Sequence, residues 1–163
     1  MNKLSKTIIA LTTLFVIGFL ALEGCNKQKA QSPKVSDFFI SGCNDVVLYA
    51  DNLRDNGYPY IDTIYITAVD DTKLKISTTN TPFDCCAESF DQEINMQGQS
   101  ISVLLSHEGP ACDCECGHHV DLTIENLKMG QTYMVNIKKD DSDYFQFEVD
   151  FEPDTDLMFV HEY

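Results

Sequence analysis

The chain has 163 residues, is 44% hydrophobic and carries a formal charge of −15. Such acidity excludes nucleic acid as a partner, because phosphate binding needs a basic footprint. It favours solubility and distance from anionic surfaces.

Lys3 and Lys6 precede an apolar run from Ile8 to Leu22, which closes on Leu22-Glu23-Gly24-Cys25. A charged start, a short apolar core and a small residue before the cut describe an export signal. The run is about fifteen residues, short of the roughly twenty that span a bilayer. The Leu-x-Gly-Cys ending resembles the lipobox of bacterial lipoproteins, with Glu23 where a small residue is usual. The resemblance implies that residues 1–24 are a signal peptide and that Cys25 becomes the lipidated, palmitate-bearing first residue. Two lipid signals already suffice for stable membrane anchoring. An uncleaved anchor or ordinary secretion is the alternative. Residues 25–34, including Asn26-Lys27-Gln28-Lys29 and Pro33, read as lipidated cysteine and polar tether. Residues 35–163 remain as one domain of the usual size, roughly 130 residues.

Within that domain the apolar pattern has period two. Ile64, Ile66 and Ala68 alternate with Tyr65, Thr67 and Val69, and Leu74 and Ile76 follow the turn Asp70-Asp71-Thr72. Ile94 and Met96 should meet Ile101 and Val103 across Gln97-Gly98-Gln99, a hairpin signal. Tyr133, Val135 and Ile137 alternate with polar residues, as do Phe145, Phe147, Val149 and Phe151, with Tyr144 on the solvent parity. Alternation of this kind marks strands with one buried face. About eight short strands and no helical period predict an all-β fold, a sandwich or a barrel.

Leu127-Lys128-Met129-Gly130-Gln131-Thr132-Tyr133-Met134-Val135 resembles the Leu-x-x-Gly-x-x-Tyr-x-Val corner of immunoglobulin-like and fibronectin type III-like sandwiches. The resemblance implies an antiparallel β-sandwich. Gly130 would permit the turn between sheets, Leu127 would cap the core, and Tyr133 would bury its ring and bond backbone through its hydroxyl. An ordinary strand-turn-strand is the plainer reading.

Seven cysteines are many for this length. Setting Cys25 aside leaves Cys43, Cys85, Cys86, Cys112, Cys114 and Cys116, and an even number in an exported chain implies disulfides. Six cysteines allow fifteen complete pairings, and sequence does not choose among them. Cys112, Cys114, Cys116 and His118 share one parity with Val120, Leu122 and Ile124, so in a single strand they line the core face. Cys85 or Cys86 is the expected partner of that row, with a bend at the adjacent pair, and Cys43 takes a remaining thiol. The rival is a zinc or copper(I) site built from Cys112, Cys114, Cys116, His118 and His119. The usual zinc spacing is Cys-x₂₋₄-Cys, and sulfurs two residues apart on a strand lie in a row. Redox-active thiols are a third reading, against which the chain lacks Cys-x-x-Cys.

The lipobox, the Cys-Cys pair, Cys-Asp-Cys-x-Cys and Leu-x-x-Gly-x-x-Tyr together resemble small exported lipoproteins of Bacteroidetes-type bacteria. That resemblance implies an immunoglobulin-like domain and no activity. Surface-exported members carry acids after the lipidated cysteine. Lys27 and Lys29 stand there instead, which implies an outer-membrane anchor facing the periplasm.

No Gly-x-Ser-x-Gly, His-Glu-x-x-His or phosphate-binding glycine loop occurs. The expectation is a non-catalytic, lipid-anchored module without a cofactor that binds or assists an envelope protein or glycan. Metal handling by the Cys/His row is the alternative, and an enzyme a third. Acids at Asp140, Asp141 and Asp143 and at Asp150, Glu152, Asp154 and Asp156 are candidates for calcium, although half the second set is the solvent parity of a strand. Tyr58 and Tyr60 are candidates for partner contact, since tyrosine combines area with a polar tip.

Overall fold

The computed structural model describes residues 31–43, 47–49 and 61–162. The signal, Cys25, Lys27, Lys29 and the candidate contact residues Tyr58 and Tyr60 lie outside them. Among the described residues there are ten strands and no helix: β1 (Lys34–Ile40), β2 (Val47–Tyr49), β3 (Ile61–Asp70), β4 (Lys73–Asp84), β5 (Ser89–Gln97), β6 (Ser100–Glu108), β7 (Cys114–Glu125), β8 (Gln131–Lys139), β9 (Ser142–Phe151) and β10 (Asp156–Glu162). The described domain is all-β, as its period-two pattern predicts.

The strands form two sheets. One has the order β1-β7-β4-β3-β10, with β2 also on β7, and the other has the order β5-β6-β8-β9. Both sheets feed one core, in which Ile64, Ile76, Leu122 and Ile124 of the first meet Ile101, Val103, Val135 and Phe151 of the second. These eight residues are no more than 1% exposed. Truncating any of the aliphatic ones to Ala would cost about 2–5 kcal/mol through lost transfer energy and the cavity left.

Local chemistry sets the turns. Asp70 Oδ1 accepts bonds from the Thr72 backbone N–H and hydroxyl, each 2.8 Å, and so fixes the β3–β4 turn. Gly98 adopts φ 65° in the two-residue β5–β6 hairpin, where Ile94 pairs with Val103 and Met96 with Ile101 as the pattern predicts. Asp140 and Asp141, at φ 45° and 66°, form the β8–β9 turn. Consecutive positive φ values are what a tight hairpin with right-handed twist requires. Leu127 and Tyr133 are buried. The Tyr133 hydroxyl accepts from Lys128 N–H at 2.8 Å and lies 3.3 Å from the Lys128 carbonyl.

Three features depart from the sequence reading. The β6–β8 pairing is parallel, so the second sheet is not wholly antiparallel. β1 and β10, which no alternation singled out, form outer strands of the first sheet. Tyr144 does not simply face solvent: an irregularity between Ile137 and Lys138 makes it the extra residue of β9, and its hydroxyl bonds Asp62 of the other sheet at 2.8 Å.

Asp62 carries a second departure of the same kind. It is fully buried on the core parity of β3. Opposite it, β4 bulges between Thr78 and Thr81, leaving backbone donors without a ladder partner. The Asp62 carboxylate accepts from Thr79 N–H at 2.8 Å and Asn80 N–H at 2.7 Å, and from the hydroxyls of Thr79 and Thr81 at 3.1 Å. A buried carboxylate is tolerated because donors surround it.

Candidate functional site

The chain passes from the first sheet to the second through Cys85–Glu88, between β4 and β5. It returns through Gly109–Asp113, between β6 and β7. The two passages lie side by side. Asp84 C=O accepts from Ala87 N–H at 3.0 Å, which closes a turn with Cys85 and Cys86 at its corners. Cys85 N–H donates to Cys114 C=O at 3.2 Å, extending the β4–β7 ladder, and Glu88 N–H donates to Glu108 C=O at 2.8 Å. Gly109 faces this turn at φ 149°. A Cβ there would stand 2.5 Å from the Cys86 carbonyl oxygen and 3.1 Å from Glu88 N.

Disulfides join the two passages. Cys85 is bonded to Cys114 and Cys86 to Cys112, with Cα separations of 5.7 and 6.1 Å. The turn explains how adjacent cysteines serve one row: their side chains leave a bend and not a flat strand. A third bridge ties Cys43, beyond the end of β1, to Cys116. Ser41 sets its position. Its N–H donates to the His119 carbonyl at 2.9 Å, its hydroxyl oxygen accepts from His119 N–H at 2.9 Å, and its carbonyl lies 2.8 Å from His118 Nδ1.

The row Cys112, Cys114, Cys116, His118 therefore divides. β7 begins at Cys114, and from there the parity holds: Cys116, His118, Val120, Leu122 and Ile124 are all buried. Cys112 lies before the strand. Its sulfur is 3.6 Å from those of both Cys85 and Cys114. The sulfurs of Cys85, Cys86, Cys112 and Cys114 all lie within 4.8 Å of one another, and all four residues are half-buried. Cys116 belongs instead with His118, whose Nε2 is 3.2 Å from its sulfur. A carbonyl can only accept, so His118 Nδ1 carries a proton toward Ser41 and Nε2 faces the bridge. His119 turns to the opposite face, 3.3 Å from Asp121. The ligand set expected from sequence, Cys112, Cys114, Cys116, His118 and His119, is thus not brought together. Strand parity alternates His119 away, and the strand's first residue separates Cys112 from Cys116.

A cluster of rings adjoins Asp84. Phe83 is edge-on to Phe90, His107 and His118, with centroid distances of 5.1, 5.9 and 5.7 Å. Asp84 spans the rim, 3.7 Å from the Cys112 sulfur and 3.6 Å from His107 Nε2, while His107 Nδ1 contacts Asp140 at 3.1 Å. Sequence reading missed the Asp84–His107–Asp140 chain because its members lie on three separate elements. Asp140 and Asp143, read as calcium candidates, have protein partners: His107 for the first, Lys138 and Asn136 for the second. The Asn136 amide and Lys138 ammonium hold the Asp143 carboxyl below its ordinary value. Asp150, Glu152, Asp154 and Asp156 line an open hollow beside β9, and Asp150 accepts from the Thr132 hydroxyl at 2.6 Å.

Each passage bridge makes the other partly redundant. In the chain-entropy account, closing a loop across the 29-residue separation of Cys85 and Cys114 contributes roughly 3–4 kcal/mol. Once that bond exists, Cys86 and Cys112 are held only a few residues apart along the cross-linked chain. The second bridge then adds about 2 kcal/mol by the same relation. Cys43–Cys116, with a separation of 73, contributes about 4 kcal/mol on its own.

Compared with protein-family models, curated proteins and solved structures, the chain matches none.

Proposed function

We propose that the protein is a lipid-anchored, non-catalytic module of the cell envelope, held at the outer membrane through Cys25 and facing the periplasm. In this reading its two sheets stack as a β-sandwich with an immunoglobulin-like corner at Leu127–Tyr133. The parallel β6–β8 seam sets that sandwich apart from the antiparallel pattern. The observation that carries the proposal is the pairing of all six domain cysteines in three bridges. Such bridges persist in oxidising compartments, which agrees with the export signal. A binding or accessory role toward an envelope protein or glycan is supported by Ile61, Tyr65, Met158 and Val160. These residues on neighbouring strands β3 and β10 are 42–62% exposed, a concentration of apolar surface of the kind that marks contact sites.

Detergent partitioning of the wild type and Cys25→Ala, expressed with the native signal, tests the anchor. The wild type should enter the detergent phase at a mass showing loss of residues 1–24 and gain of acyl chains. Cys25→Ala should remain aqueous. Equal partitioning of processed, unacylated protein in both cases would sink the proposal.

A further inference from the structure

We propose that Cys85, Cys86, Cys112 and Cys114 form a two-state site: two disulfides when oxidised, and a tetrathiolate for one zinc ion when reduced. The inference stands on the sulfur geometry and is independent of the envelope-module reading. Zinc takes four thiolates at about 2.3 Å in a tetrahedron, so its sulfurs sit about 3.8 Å apart. Here Cys112 lies 3.6 Å from Cys85 and from Cys114, neither of which is its disulfide partner. All four sulfurs lie within 4.8 Å of one another. Converting one state to the other breaks two S–S bonds, lets each bonded pair of sulfurs part to about 3.8 Å and admits one ion.

The ladder explains why these four converge. The turn closed by Asp84 C=O and Ala87 N–H sends Cys85 and Cys86 toward one side, and the Cys85–Cys114 backbone bond fixes the register against the second passage. Half-burial leaves the sulfurs within reach of a reductant and an ion. In the conversion, each S–S bond takes two electrons and two protons from one dithiol, which leaves as its own disulfide. The four thiols then release four protons as the ion binds, because zinc ligates thiolate.

The experiment uses the full-length mature protein, reduced with excess dithiol, freed of reductant and titrated anaerobically with cobalt(II) and then zinc(II). One cobalt per chain should bind, with sulfur-to-cobalt charge transfer and tetrahedral visible bands, and zinc should displace it. A Cys43→Ser/Cys116→Ser protein, which of the six domain cysteines keeps only the four in question, should bind the same single ion. A Cys86→Ser/Cys112→Ser protein should show charge transfer halved per cobalt, and one lacking all four cysteines should show none. Circular dichroism accompanies each titration. A reduced chain that is folded with zinc supports the proposal whether or not it is folded without it. Binding retained after loss of all four cysteines would overturn the proposal. So would absence of bound cobalt in the reduced wild type, or a reduced chain that stays unfolded with zinc.

Discussion

At the scale of single residues, the buried Tyr133 hydroxyl and Asp62 carboxylate each meet partners, whereas among the described residues Gln92 Oε1 and Asn136 Oδ1 are buried without one. Tyr133 is 3% exposed, and its hydroxyl holds the backbone of Lys128 at the corner before β8. The ring fills the core, while the hydroxyl satisfies an amide that turns away from both sheets. Replacing Tyr133 with Phe keeps the ring and removes the bond. The expected loss is about 0.5–1.5 kcal/mol, the net worth of one such bond. A urea denaturation midpoint unchanged from wild type would show that the corner amide finds water instead. Asp62 meets its partners with a charge, accepting four bonds from the β4 bulge and one from Tyr144. Tyr133 was legible in the sequence because a glycine and a leucine stand at fixed distances before it. Asp62 was not, since an acid at the head of a strand looks like any solvated turn residue, and the bulge it serves lies on another strand.

At the scale of elements, the passages between sheets decide where the sulfurs meet. Gly109 lets the returning passage lie against the backbone of the outgoing one, and its φ of 149° is open to glycine and strained for other residues. Gly109→Ala adds that strain to a Cβ placed 2.5 Å from the Cys86 carbonyl oxygen, which is backbone and cannot swing aside. The cost should exceed about 1 kcal/mol. It should also slow correct pairing, seen as more mispaired isomers after oxidative refolding and resolved by non-reducing peptide maps. A variant with wild-type stability and pairing would mean that the passages separate freely. The β7 parity was legible because β7 itself carries no extra residue from Cys116 through Ile124, the irregularities opposite it falling on β1 and β4. It failed where regularity fails. The start of β7 at Cys114 splits the cysteine row, and the extra residue at Tyr144 reverses the facing of one side chain. The parallel β6–β8 seam was illegible for a different reason: parallel and antiparallel partners ask for the same alternation.

At the scale of the whole molecule, charge governs how the fold meets acid. The chain has 26 acidic against 11 basic side chains, so its surface repels itself at neutral pH. Lysines are spent on local pairs, among them Lys75 with Asp121 at 3.1 Å and Lys34 with Glu125 at 2.8 Å. Burial pushes the Asp121 carboxyl up, but bonds from the Ser77 hydroxyl and the Lys75 ammonium, with the charge of His119, outweigh it and hold the group below 3.8. Asp121 therefore contributes stability above its unfolded value, which is lost as pH falls through the lower folded value. His161 behaves in the opposite chemical sense with the same outcome. Burial pushes it below 6.5, against the pull of the Asp62 charge, so the fold holds it neutral. As pH falls from about 7.5 to about 5.5 the unfolded chain takes up that proton first, and stability declines. Over that window ordinary carboxylates stay ionised, so relief of surface repulsion does not mask the effect. Urea midpoints should fall modestly from pH ~7.5 to ~5.5 and more steeply below pH ~4. His161→Gln should flatten the first limb and leave the second, and Asp121→Asn should soften the second and leave the first. An identical first limb in wild type and His161→Gln would transfer that decline to another histidine and remove His161 from the account.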